Sequence, residues 1–159
     1  MAANQASWQN RSGWEVGCGT LPAVKIVVLA IGRLRPPFAD DVAHYRQLLG
    51  GKAKIELIEV RTDEQAIARI PERAFVSLLD AEGQTYSSEG FSKFIEDRQM
   101  GGLDVWFVLG GAFGNLDLPR VDHKLSLGEM TLPHQLARVV LLEQLFRAHK
   151  ILAGEPYHY

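Results

Sequence analysis

Residues 24–32 read VKIVVLAIG, and this stretch sets the fold class of the chain. It is rich in β-branched side chains, has one polar residue (Lys25) and stops at a glycine, a pattern typical of a buried parallel strand. DVWFVLGG at residues 104–111 has the same character, and AFVSLLD at residues 74–80 is a third such run. Because helical patterns separate these runs, the sequence predicts an α/β protein with a mainly parallel sheet and flanking helices.

The segments between the buried runs complete the expected order of elements. KIELIEV at residues 54–60 alternates apolar and polar residues, as an edge strand does. Ser87 and Ser88 are suited to cap a helix that ends near residue 101, and Pro133 is suited to the first turn of a long last helix. LPRVDHKL at residues 118–125 is interpreted as a short helix. SLGEMTLP at residues 126–133 is interpreted as a loop.

The composition excludes several classes of protein. The chain has 159 residues, enough for one domain, and 47% of them are hydrophobic. A net charge of −2 gives no general basic surface for nucleic acid, so any RNA must be bound through a local patch or by shape. One cysteine, Cys18, excludes an internal disulfide and favours a reducing compartment, which we take to be the cytoplasm, or a plastid if the source is a plant.

The first 22 residues differ in character from the rest. They contain no long apolar run and no basic start, so they do not resemble a secretory signal. We interpret residues 1–22 as a polar N-terminal extension that is either disordered or not native to the protein, with a trimmed organellar transit segment as a weaker alternative, and residues 23–159 as a single domain. No stretch of the sequence is long and apolar enough to predict a membrane span.

The last predicted helix is apolar on nearly all sides. Its first stripe contains Leu136, Val139, Val140, Phe146 and Ile151, and other apolar residues cover much of the opposite side. Such a helix is buried on more than one side, and a second copy of the chain is the expected second cover. Glu143 and Arg147 lie within this stripe at i,i+4 spacing. They are either a solvated surface pair or a partly buried pair at an interface or site.

Glycines follow three of the expected strand ends. They are Gly83 after Leu79 and Asp80, Gly110 with Gly111 and Gly114, and Gly128 in the 126–133 loop. Ligands of parallel sheets bind outside the carboxyl ends of the strands, so these glycines mark either a ligand site or only tight turns. The spacing of His134, His149 and His158 matches no common zinc pattern, and we expect no metal.

Several quoted segments together are similar to one known family. They are AIGRL (30–34), LLDAEGQTYSSEGF (78–91), FVLGGAFG (107–114), LSLGEMTLPHQLARVVLLEQLFRAHKI (125–151) and GEPYH (154–158). They resemble the bacterial and plastid enzymes of the SPOUT superfamily that transfer a methyl group from S-adenosylmethionine to N3 of a pseudouridine in large-subunit ribosomal RNA. The resemblance implies a C-terminal trefoil knot and a homodimer, and we expect the substrate to be the assembled ribosome.

The resemblance also implies roles for individual residues. The methyl donor would be held at Leu79, at Gly110 and along a loop whose members are Leu127, Gly128, Glu129, Met130, Thr131 and Leu132. His158 would act as general base and Tyr157 would stack on the base or fix the donor. Apart from the resemblance, we expect Arg35, Glu143 and Arg147 to contact the substrate or to lie at the interface.

Two other functions remain open from the sequence. One is a non-catalytic module on the same fold that binds an adenosine ligand or associates with the ribosome. The other is an unrelated dimeric α/β scaffold whose glycines are only turns.

Overall fold

The computed structural model describes residues 23–111 and 116–157. The strands are β1 (Lys25–Ile31), β2 (Lys54–Val60), β3 (Phe75–Gln84), β4 (Val105–Leu109) and β5 (His123–Leu125). The helices are α1 (Phe38–Gly50), α2 (Asp63–Arg69), α3 (Ser88–Gly101) and α4 (His134–Leu152).

The strands form one five-stranded sheet in the order β2-β1-β4-β3-β5, and all neighbouring pairs are parallel. The predicted α/β class is therefore confirmed. β1 and β4 lie inside the sheet and β2 lies at an edge, as their residue patterns predict. One core packs between the sheet and the helices α1, α3 and α4, and a second core lies on the α2 side.

The ends of the helices follow local chemistry. The Ser87 hydroxyl accepts a hydrogen bond of 3.0 Å from the Gly90 amide and so caps α3. Gly102 follows this helix with φ of +73°, a left-handed conformation that glycine adopts without strain. Pro133 directly precedes α4. Its missing N–H costs nothing there, because the first amides of a helix have no partner within the helix. The predicted start and end of α3 are confirmed, and α4 begins one residue after Pro133.

The helix predicted over residues 118–125 is wrong. Residues 123–125 form β5, which pairs with β3 from Ser77↔His123 to Leu79↔Leu125. β3 also runs beyond the predicted end at Asp80, and Gly83 then passes against β5. A Cβ on Gly83 would lie 2.7 Å from the Lys124 carbonyl carbon, so only glycine fits at this crossing.

Residues 1–22 and His158 are not among the described residues. None of the described helices is both long and apolar enough to span a membrane. The trefoil knot stays a prediction.

Candidate functional site

A cavity of about 1030 Å³ lies at the carboxyl ends of β3, β4 and β5. β3 contributes Leu78 to Glu82 and β4 contributes Leu109 with the following Gly110 and Gly111. The rest of the wall comes from Leu116 and Asp117, from the end of β5 with the loop that follows it, and from the start of α4 as far as Ala137. This is the edge of a parallel sheet where ligands bind.

The structure brings most of the predicted donor-binding residues together around this cavity. The lining contains Leu79, Gly110, Leu127, Gly128, Met130, Thr131 and Leu132. Glu129 is exposed and is not part of the lining. Three segments that are separate in the sequence therefore meet in one concave surface.

The loop between β5 and α4 presents main chain to the cavity. The Ser126 hydroxyl donates to the Gly128 carbonyl oxygen at 2.9 Å and fixes the start of the loop. Gly128 has φ of +147°, which an L side chain would strain. Among the described residues, the amides of Met130, Thr131 and Leu132 have no hydrogen-bond partner. They are available to the edge of a flat ligand.

The charged residues of the lining are mostly acidic. Asp80, Glu82 and Asp117 contribute carboxylates, and Lys124 is the cation. The Lys124 ammonium lies 2.9 Å from an Asp80 carboxylate oxygen. This hydrogen bond, helped by the Glu82 amide, lowers the pKa of Asp80, and the same bond raises the pKa of Lys124. Both groups therefore stay charged near neutral pH, and the cavity favours a cationic ligand.

The C-terminal segment folds back on α4. The Tyr157 hydroxyl donates to a Glu143 carboxylate oxygen at 3.1 Å. The Tyr157 ring meets Phe146 edge to face at 5.3 Å, and the Arg147 guanidinium lies 4.4 Å from its centroid. The segment is also tied by Glu155, which bonds the ammonium groups of Lys150 and Lys52.

Tyr157 and the cavity are separate within one chain. The lining ends on α4 at Ala137, and Glu143 lies six residues later, about 9 Å along the helix. Tyr157, Glu143 and Arg147 are not among the lining residues.

The other predicted contact residues lie at two places. The Arg147 guanidinium bonds Glu143 at 2.5 Å, and the two side chains are only 24% and 18% exposed. The pair is thus partly buried rather than fully solvated. Arg35 is exposed in the connection between β1 and α1, where its amide donates to the Gln135 side chain.

Sequence reasoning missed a partly buried ion pair beside the site. The Arg138 side chain is 4% exposed and bonds Glu59 at 2.7 Å. In the sequence this pair is signalled only by Arg138, a cation within an otherwise apolar part of α4. Over residues 23–111 and 116–157 no group of three His, Cys, Asp or Glu residues is placed to hold a metal ion.

Comparisons with known proteins agree with this architecture. A family model described as "Predicted SPOUT methyltransferase" matches residues 24–158. "Ribosomal RNA large subunit methyltransferase H" of Carboxydothermus hydrogenoformans is 35% identical over 85% of this chain and 99% of its own. The protein of that name from Nitratidesulfovibrio vulgaris strain DP4 is 41% identical over 83% of this chain and 96% of its own.

Among solved structures, TrmJ from Z. mobilis ZM4 is 13% identical and covers 86% of this chain and 73% of its own, with a TM-score of 0.47. The family assignment rests on the sequence matches, which cover nearly all of the described residues. The chain belongs to the SPOUT methyltransferase family.

Proposed function

We propose that this protein transfers a methyl group from S-adenosylmethionine to N3 of a pseudouridine in large-subunit ribosomal RNA. We place the reaction on the assembled ribosome in the cytoplasm. The observation that carries the proposal is the cavity, where segments after three strands expose main chain and glycine in one place. The relatives named as large-subunit methyltransferases give the substrate class.

The residues around the cavity fit the methyl donor. A volume of about 1030 Å³ lies just above the range usual for small-molecule sites, which leaves room for a nucleoside and a target base. The free amides of Met130, Thr131 and Leu132 suit the edge of an adenine. S-adenosylmethionine carries a positive sulfonium and supplies an electrophilic methyl group. The carboxylates of Asp80, Glu82 and Asp117 suit that charge.

We propose a homodimer, because one chain does not bring its tail to its own cavity. The stripe of α4 that contains Leu136, Val140 and Ile151 is only half-buried and joins neither core. Phe146 of the predicted stripe is instead buried in the protein's own core. Glu143 and Arg147 lie on the half-buried stripe, directly beside Tyr157. A two-fold through this stripe would carry the tail of one subunit toward the cavity of the other.

The tail then supplies the chemistry of the target base. The N3 proton must leave as the methyl group arrives, and His158 is the proposed base because imidazole titrates near neutral pH. Tyr157 is proposed to hold the ring of the base in line with the methyl group, since placement of the reactants lowers the barrier. When the ribosome binds, Tyr157 either leaves its contacts with Glu143 and Arg147 or contacts the target base while it keeps them.

The test is a reaction of the purified protein with ribosomes that lack the modification and with S-adenosylmethionine carrying a deuterated methyl group. Digestion and mass spectrometry of the RNA should find labelled N3-methylpseudouridine in the large subunit. A protein that binds S-adenosylhomocysteine but leaves the RNA unlabelled would be a non-catalytic adenosine-binding module.

A further inference from the structure

An ion pair between the buried Arg138 of α4 and the half-exposed Glu59 of β2 holds the connection between β1 and α1, which we call the β1–α1 loop (residues 32–37). The Arg138 guanidinium donates to a Glu59 carboxylate oxygen at 2.7 Å and to the Gly32 carbonyl oxygen at 3.0 Å. The same Glu59 oxygen accepts the Leu34 amide at 3.0 Å. Two groups on the loop main chain are therefore fixed by one ion pair.

A further contact ties the loop to α4. The Arg35 amide donates to the Gln135 side chain at 2.9 Å. Gly32, with φ of +102°, lies against His134, whose Nε2 would be 3.7 Å from a Cβ at this glycine. Because His134 also lines the cavity, the β1–α1 loop lies at the rim of that cavity.

The attraction within this ion pair is offset by the cost of removing the Arg138 charge from water. Arg138 is almost fully buried, and its Nε has no hydrogen-bond partner among the described residues. Buried ion pairs are often replaced by apolar side chains without loss of stability, and here the Arg138 charge is the one that is buried. What the pair fixes is the position of the β1–α1 loop.

The loop carries two cations in solvent. Arg33 and Arg35 are exposed, and no described residue bonds either guanidinium. The chain as a whole has a net charge of −2, so a local pair of cations beside the cavity is where a phosphate chain would be attracted.

We propose that Glu59 and Arg138 are positioning residues: they hold the β1–α1 loop so that Arg33 and Arg35 contact phosphates of the ribosomal RNA at the mouth of the cavity. This inference rests on the proposed methyltransferase function. In this proposal, the β1–α1 loop binds the RNA phosphates, and other residues bind the methyl donor.

The test compares Arg138→Met, the double variant Arg33→Ala/Arg35→Ala and the three changes combined. KM and kcat for ribosome methylation are measured over a range of salt concentrations, with S-adenosylhomocysteine affinity as a second readout. The double variant should raise KM and reduce the salt slope by about two, one for each lost phosphate contact. Arg138→Met should also raise KM, with kcat and the S-adenosylhomocysteine affinity unchanged.

The decisive measurement is the KM of the combined variant for ribosome methylation. If Arg138 acts through the loop, removal of the two arginines should raise KM far less in the Arg138→Met background than in the unmodified protein. Glu59→Gln, at a side chain 41% exposed, probes the same pair without altering the buried side. Arg69→Ala, an exposed cation of α2 on the other side of the sheet, is the matched control and should leave KM unchanged.

Fully multiplicative KM effects in the combined variant, or weaker S-adenosylhomocysteine binding by Arg138→Met, would overturn the inference. Arg138→Lys keeps the positive charge, so its KM should rise less than that of Arg138→Met. An unmodified protein that fails to label ribosomes would instead contradict the proposed function.

Discussion

Replacement of Gly83 by alanine should open the wall of the cavity. The added Cβ would lie 2.7 Å from the Lys124 carbonyl carbon and 2.8 Å from that of Leu125, and both are main-chain atoms. To reach an ordinary contact of 3.4 Å, the two segments must separate by about 0.7 Å. The hydrogen bond of 2.9 Å from the Ser126 amide to the Gln84 carbonyl crosses the same junction and would weaken.

Overpacking of this kind costs about 1–3 kcal/mol. With a urea slope of about 2 kcal/mol per M, the unfolding midpoint of Gly83→Ala should fall by roughly 0.5–1.5 M. Since residues 80–82 line the cavity, S-adenosylhomocysteine should bind about tenfold more weakly in calorimetry, a loss of about 1.4 kcal/mol.

Gly101→Ala is the control for this prediction. Gly101 is the last residue of α3, and a Cβ there would meet nothing within 4 Å. This variant should keep the affinity, and its midpoint should stay the same or rise slightly, because alanine favours the helix. Gly83→Ala with the midpoint and affinity of the unmodified protein would refute the steric argument.

Three further predictions concern the C-terminal segment. Deletion of residues 156–159 should leave the fold and S-adenosylhomocysteine binding nearly intact and abolish methylation, and full turnover by the truncated protein would exclude the tail from catalysis. Arg147→Ala removes the 2.5 Å bond to Glu143 and the contact with Tyr157. It should weaken dimer association, measured by sedimentation, by about 1.5–3 kcal/mol. Unchanged association and activity would mean that Glu143 and Arg147 form only a surface pair. Bonds from Lys150 and Lys52 lower the pKa of Glu155 to about 2, below its ordinary 4.5, so the contribution of Glu155 to tail docking should be complete above pH 4.5 and lost as pH falls toward 2. A carboxyl titration of Glu155 by NMR with a midpoint near 4.5 would show that the tail is not docked this way.

Local patterns predicted most of the elements but failed where distant contacts decide the structure. The β-branched runs predicted the strands, and Ser87 and Pro133 predicted helix starts, because each signal acts within a few residues. In residues 118–125, Leu118, Val121 and Leu125 follow a helical spacing. The chain is nevertheless extended at its end, since β5 pairs with β3 and His123 bonds Ser77 at 2.9 Å.

The candidate site divides in the same way. Glycines after strands marked the cavity, because parallel strands place their carboxyl ends at one edge. The contact of Arg138 with Glu59 and that of Gly83 with Lys124 have no local signal, since each joins residues more than 40 positions apart. The separation of Tyr157 from the cavity is also a property of the folded chain, and it turns the expected dimer into a requirement of the proposed reaction.

The most direct test of this requirement is a mixed dimer. One subunit carries Thr131→Trp, which fills the cavity at an exposed lining position, and the other lacks residues 156–159. If the tail of one subunit completes the cavity of the other, the two inactive proteins refolded together in equal amounts should recover about a quarter of the normal methylation, because about half of the dimers are mixed and each has one complete site. Mixed dimers that form and stay inactive would contradict the account.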